Sequence, residues 1–307
     1  MTADWTILSG MAHPELAAAI AHGLGARTVG RFPDGEVSVR IDEPVRDREV
    51  FRVQPTAPPV DEHLVELLAV ADACRRASAA RITAVLPYFG HARSDARHGR
   101  REPIVASMIA RLIQAVGVAR VVVVDLHTPQ IEGFFQIALD TLTAVPTLCE
   151  ALRARLPAGA VVVAPVAGRV EMATGYAGRL GAPLAVLHKR STSGTETAVT
   201  HLVGDVSGRT CLIVDDIIST GGTIVESATA LREAGAGPQI TVAATHGLFV
   251  GAARGRLLRA GISRVFVTDT VPVAGGEWPE LEVVPIAPLL AGAIRRLVAD
   301  GSLSDLF

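Results

Sequence analysis

Short apolar runs recur along the chain with polar turns and helix-patterned stretches between them. This alternation predicts βαβ units and a mostly parallel sheet flanked by helices. Runs at 5–9, 49–54, 82–87 and 120–125 predict strands in the first half. Those at 160–164, 183–187, 210–215, 239–245, 263–268 and 281–286 predict strands in the second. Within 61–78, Leu64, Leu67, Leu68 and Ala71 share one helical face, and Ile224, Ala228 and Leu231 repeat the spacing, so both stretches read as crossover helices. Two segments echo one another: ARVVVVDLHT (119–128) and RTCLIVDDIIST (209–220) are each an apolar strand that ends in an acid and enters a polar loop. The echo suggests two related α/β halves. Pro157-Ala158-Gly159 marks a turn between them, and the boundary is expected near 148, giving domains 1–148 and 149–307.

Composition narrows the field of partners. Among 307 residues, 49% are hydrophobic, as expected where β-branched strands alternate with Ala/Leu-rich helices. Lys and Arg number 29 against 31 Asp and Glu, so no global field recruits nucleic acid or an anionic membrane, and any anion site is local. Cys74, Cys149 and Cys211 show no metal-type or CxxC spacing, and MTADWTILSG is not a secretory leader. A reducing cytoplasm is expected. The longest uncharged stretches, 240–253 and 283–294, are too short to span a bilayer.

The stretch VDDIISTGGT (214–223) carries the sharpest chemistry. Asp215 and Asp216 fall at the carboxyl end of a predicted parallel strand, the edge where open α/β sheets bind ligands. A turn of hydroxyls and glycines follows and leads into a helix, where Thr223 and Glu226 have capping-box spacing and Gly235 is a natural stop. Backbone N–H groups at that helix start, with the side chains of Ser219, Thr220 and Thr223, suit a phosphate monoester, and Gly221 and Gly222 let the backbone approach it. The carboxylates need a different partner, and a sugar diol fits. One ligand, a 5-phosphorylated pentose, supplies both groups. No GxxxxGK[ST] or post-strand GxGxxG occurs, which argues against P-loop and dinucleotide readings.

VDDIISTGGT also resembles the phosphoribosyl diphosphate signature of the phosphoribosyltransferase fold. RFPDGEVSVR (31–40), LPYFGHARSDARHGRREPI (86–104), DLHTPQIEGFF (125–135), VAATHGLF (242–249), VTDTVPV (267–273) and APLLAGAIRRL (287–297) together resemble, in order, the ribose-phosphate diphosphokinase family. The resemblance implies two tandem phosphoribosyltransferase-like α/β domains, the first on the ATP side and the second carrying the ribose 5-phosphate loop. It implies transfer of the diphosphoryl group of ATP to the 1-hydroxyl of ribose 5-phosphate, with Mg²⁺ as cofactor, in a homo-oligomer built from dimers and commonly hexameric. Carried over residue by residue, it assigns Phe32, Asp34, Glu36, Arg93 and Asp95 to ATP, and Lys189, Arg190 and His127 to the transferred group, with His127 also touching metal.

The chain departs from the family's pattern at several places. PVAGR (165–169) puts Val166 at a usual acid and Arg169 at a usual glycine. Ser94, Ala96 and Arg97 replace a glutamine, an arginine and a lysine; Ser191 replaces an arginine, Ser219 an aspartate and Met11 an asparagine. Two further readings follow: a weakened paralogue serving as a regulatory or partner subunit, and a phosphoribosyltransferase.

Overall fold

The computed structural model describes residues 4–21, 26–27, 29–97, 99–192, 196–273 and 277–306, and its side-chain description leaves out 21, 26, 27, 29, 189–192, 196–200 and 305. The chain divides into two compact units, Met1–Thr143 with Thr270–Pro272 and Ile286–Phe307, and Ala144–Asp269 with Val273–Pro285.

The first unit runs β1 (Trp5–Ser9), α1 (Pro14–Ala21), β2 (Ala26–Arg27), β3 (Val29–Arg31), β4 (Val37–Val39), β5 (Glu49–Val53), α2 (Val60–Arg76), β6 (Arg81–Leu86), α3 (Val105–Ala115), β7 (Arg120–Val124) and β8 (Ala138–Leu142). Six strands form one sheet in the order β2-β1-β5-β6-β7-β8, every pairing parallel, while β3 and β4 form a separate antiparallel hairpin. All five residues of β5 are buried, as befits a central strand covered on both faces. The i, i+3, i+7, i+10 stripe Leu64, Leu67, Ala71 and Cys74 of α2 joins Ile109 and Ile113 of α3 and Val50, Ala84 and Val121 of the sheet in one core.

The second unit runs α4 (Val145–Arg153), β9 (Val161–Ala164), α5 (Val170–Leu180), β10 (Leu184–Thr192), β11 (Glu196–Val203), β12 (Cys211–Ile218), α6 (Gly222–Glu233), β13 (Ile240–Gly247), α7 (Ala253–Arg259), β14 (Arg264–Thr268) and β15 (Leu281–Val284). Its sheet has the order β11-β10-β9-β12-β13-β14-β15, parallel except for the β10–β11 hairpin. Ala228 and Leu231 of α6 pack in a core with Val163, Leu187, Ile213, Val242 and Val267.

All ten expected strands form, and among the described residues five more join them: β2, β3, β4, β8 and β11. The helix α4 belongs whole to the second unit, burying Leu148, Cys149 and Leu152, so Pro157-Ala158-Gly159 is an α4-to-β9 connection. The last helix, α8 (Ala287–Val298), returns to the first unit, where its Leu290, Ala293 and Ile294 are buried and it packs on α1. The reading from sequence had placed the division at 148 and α8 with the second half.

The two sheets share one strand logic. Matching their orders sets β1 against β9, β2 against β10, β5 against β12 and β7 against β14. The echoing segments 119–128 and 209–220 are not counterparts in this match, although both sheets follow the same order. The counterpart of β7 is β14, which Asp269 follows, and the counterpart of β12 is β5. Any buried parallel strand that ends at the ligand edge reads as an apolar run closed by a polar residue, so the pattern alone does not set register.

Candidate active site at the β9–β12 switch point

In the second unit, β9 leads through α5 to β10 on one side, while β12 lies on the other, so the chain reverses direction between β9 and β12. That crevice, outside the carboxyl ends of the strands, is where open α/β sheets hold ligands. Asp215 and Asp216 lie there, 8% and 1% exposed. Strand β12 continues two residues beyond them, because Ile217 and Ile218 still register with His246 and Gly247 of β13.

A third charge completes the group. A 3-10 turn at Ala167–Arg169 follows β9 and brings Arg169 to the acids: its Nε lies 2.8 Å from Asp215 Oδ1 and its Nη2 2.7 Å from Asp216 Oδ1. The Asp216 N–H also donates to Asp215 Oδ1, at 2.9 Å. Burial, reinforced by the neighbouring Asp216 charge, pushes the Asp215 carboxyl up to about 7, and Arg169 opposes that rise. The sequence marked Arg169 only as a departure from pattern. Its position five residues beyond β9, at the switch point, was the signal that could have placed it.

After β12 the backbone turns through Ser219 and Thr220 into α6, whose N-cap is Gly221 at φ 78°, with no side-chain cap. The expected Thr223–Glu226 capping box is absent, because Thr223 lies inside the first turn instead of at its start. Only a left-handed residue fits Gly221, and a Cβ there would already touch Leu257 at 3.4 Å. The carbonyls of this turn face back into the unit: Ile218 O accepts from Leu248 N–H, Ser219 O from Val250 N–H and Thr220 O from Arg256 Nη1. That pins the loop while the helix start carries no cap, the arrangement that suits an anion. The other end closes as expected, with Gly235 at φ 83° donating to Arg232 O and Ala236 N–H to Leu231 O.

The remaining expected site residues lie on other elements. Lys189 and Arg190 sit on β10, registered with Val199 and Ala198 after a bulge, and their side chains lie outside the described residues. Phe32, Asp34 and Glu36 form the tip of the β3–β4 hairpin. Phe32 is 53% exposed, Asp34 Oδ1 accepts from Glu36 N–H, and Arg31 holds the turn through Gly35 O. In the first unit, Asp95 is buried and accepts from Thr128 Oγ1 and Gln130 Nε2, which joins it to the loop bearing His127. That loop leaves β7 through Asp125 at φ 40°, a strained position for a non-glycine residue of the kind that collects at functional edges. Arg93 is exposed nearby in sequence, and Ser94 carries Oγ to the first amide of α3.

The first unit's own switch point, between β1 and β5, is filled by structure. Arg52 and Glu66 are paired at 2.5 Å, both 1% exposed; Gln54 and Met11 N–H bond the same acid. A Cβ on Gly10 would lie 1.2 Å from Gln54 Oε1, so any side chain there would have to displace the Gln54 amide from this network. Here the counterpart of the acid-pair strand holds a closed polar network. The three thiols are buried, which pushes each up to about 11 and leaves them inert as nucleophiles.

Comparison with known proteins decides the family. A family model described as the N-terminal domain of ribose phosphate pyrophosphokinase matches residues 5–117, and one described as a phosphoribosyl synthetase-associated domain matches 192–307. A ribose-phosphate pyrophosphokinase of Rhodopirellula baltica is 45% identical over 309 residues, spanning 98% of this chain and 98% of its own. The chain belongs to the ribose-phosphate pyrophosphokinase family. Another ribose-phosphate pyrophosphokinase, of Corynebacterium efficiens, is 44% identical over 322 residues, covering 100% of this chain and 99% of its own. A solved phosphoribosylpyrophosphate synthetase of Mycobacterium smegmatis matches with a TM-score of 0.87 and 40% identity, over 97% of this chain and 100% of that one. The expected family resemblance and α/β fold are borne out. Arg169, which the resemblance sets at a usual glycine, bonds both acids of the pair.

Proposed function

We propose that this protein transfers the diphosphoryl group of ATP to ribose 5-phosphate, giving 5-phosphoribosyl 1-diphosphate and AMP. One observation carries the reading: a buried acid pair and an uncapped helix start, separated by Ile217–Thr220, stand at the switch point of a chain aligned end to end with ribose-phosphate pyrophosphokinases. Likeness of that extent favours the diphosphotransferase over a regulatory subunit or a phosphoribosyltransferase. In this reading the amides of Gly221–Thr223 and the hydroxyls of Ser219, Thr220 and Thr223 receive the 5-phosphate. Asp215 and Asp216 accept from the 2- and 3-hydroxyls. The sugar is then gripped at both ends, with its 1-hydroxyl oriented for attack on the β-phosphorus of ATP. The new O–P bond forms as the bond to the α-phosphate oxygen breaks, the hydroxyl proton is released, and AMP departs.

Phe32 offers an exposed ring for stacking on adenine, Asp34 and Glu36 offer acceptors beside it, and Arg93 and Asp95 stand for the triphosphate side. Lys189 and Arg190 supply positive charge to the transferred group. Among the described residues no group of three or more His, Cys, Asp or Glu could hold a metal alone. That fits Mg²⁺, which keeps several waters and takes most of its other oxygens from substrate phosphates, with His127 the protein contact. Magnesium would neutralise charge between two anions that must meet. None of the described helices is long and apolar enough to cross a membrane, and a homo-oligomer working in the cytoplasm completes the reading. The test is AMP formation from ATP, ribose 5-phosphate and Mg²⁺: the reading expects AMP stoichiometric with 5-phosphoribosyl 1-diphosphate, and AMP production no higher than without the sugar overturns it.

A further inference from the structure

We infer that Arg169 is a specificity-determining positioning residue, which holds Asp215 and Asp216 in the one orientation that reads the 2-hydroxyl of the pentose. The inference rests on the acid pair being the sugar-diol site. Two carboxylates on adjacent residues of one strand, both almost fully buried, repel each other and turn freely unless something fixes them. Arg169 does both tasks. Its guanidinium is planar and rigid, and two of its nitrogens bond two different acids, Nε to Asp215 and Nη2 to Asp216, at 2.8 and 2.7 Å. Both bonds fall on Oδ1, and the Asp216 N–H adds a second donor to Asp215 Oδ1. Each carboxylate is thus gripped through Oδ1 by one rigid group, which fixes its rotation about the strand.

The clamp is itself held. The Arg169 side chain is only 12% exposed, and its backbone, at the end of the 3-10 turn, serves as the N-cap of α5, so the guanidinium starts from a fixed point beside β12. A surface arginine in a loop would lose such a pairing to water. A lysine in its place would bring charge without the fork, and a glutamine would bring a donor without the charge.

A role through the acids differs from a role in folding by what it discriminates. If Arg169 orients the diol acceptors, its loss removes the preference for a sugar that has the 2-hydroxyl. If it only supports the fold, both sugars weaken together. The experiment is calorimetric titration of the full-length protein with ribose 5-phosphate and with 2-deoxyribose 5-phosphate, for the wild type, Arg169→Gln and Arg169→Lys. The wild type is expected to prefer ribose 5-phosphate by about 10- to 100-fold, the worth of one hydrogen bond to a charged group. In Arg169→Gln the preference falls to within about threefold, and Arg169→Lys, which restores the charge, recovers part of it. An unchanged preference in Arg169→Gln, or equal weakening of both sugars, overturns the inference alone. A wild type that takes up neither sugar, or does not distinguish them, overturns the diol-site reading and the inference with it. Should Arg169→Gln fail to fold, Arg169→Lys decides: full wild-type preference overturns the inference, and a reduced one supports it.

Discussion

Replacing Glu66 by alanine should cost about 4 kcal/mol, the middle of the range for breaking a buried ion pair by removing one partner. The magnitude follows from the site. Arg52 and Glu66 are each 1% exposed and 2.5 Å apart, and burial already lowers the Arg52 pKa, with Glu66 as the main opposing influence. Without the acid, the guanidinium keeps the Ser9 carbonyl and Gln54 Oε1 as acceptors but loses its countercharge, and Met11 N–H loses its acceptor at 2.9 Å. For a unit of this size each kcal/mol moves the melting temperature by about 2–4 °C, so the transition should fall by about 8–16 °C. Differential scanning calorimetry of Glu66→Ala reads this directly. The paired change Arg52→Met with Glu66→Leu should recover most of the loss, since a well-packed apolar pair of similar volume tolerates burial that a lone charge does not. The exposed acid Asp72, which pairs with Arg75 and Arg76 on the same helix, serves as the control and should leave the transition in place. A fall of less than about 2 °C for Glu66→Ala, or a double variant as unstable as the single one, would refute the reasoning.

Ribose 5-phosphate affinity should rise by about tenfold between pH 6 and 8, because the Asp215 carboxyl, raised to about 7, gains its charge across that window. Asp215→Asn should flatten the rise, and an identical slope in that variant contradicts the assignment. The stability sign is opposite: a carboxyl raised in the folded state favours folding fully below its unfolded value near 4 and loses that contribution as pH climbs through about 7. Denaturant titrations at pH 5 and 8 should therefore show the variant gaining stability over wild type at the higher pH. Gly221→Ala should cost about 1–2 kcal/mol, since φ 78° is left-handed, and should weaken ribose 5-phosphate uptake more than ATP uptake; equal weakening of both ligands would count against a local role.

Much of the fold was legible because buried parallel strands declare themselves as apolar runs, and β7 (RVVVV) and β9 (VVVA) have almost nothing polar to mask them. What escaped was short or half-exposed. The strands β3 and β4 have three residues each, β2 has two, and β8 (ALDTL) is an edge strand whose Asp140 pairs with Arg120 across the ladder. The place of α8 was hidden for a different reason: its amphipathic stripe states that one face is buried, not which unit buries it. The acid pair and its loop were readable from ten residues because the strand end, the turn and the helix start that carry them follow one another directly in the chain. Arg169 lies 46 residues from Asp215, and only the strand order β9-β12 brings the two together. The capping box failed similarly, since Thr223 has the right spacing but Gly221, at a left-handed φ, starts the helix two residues earlier.

The most direct test of the account is uptake of ribose 5-phosphate by the paired variant Asp215→Asn/Asp216→Asn beside the wild type, followed by calorimetry. The account predicts one site per chain in the wild type and a loss of affinity of 100-fold or more, on the order of two charge-assisted hydrogen bonds, in the variant. Equal heats and equal affinity in the two proteins would contradict it.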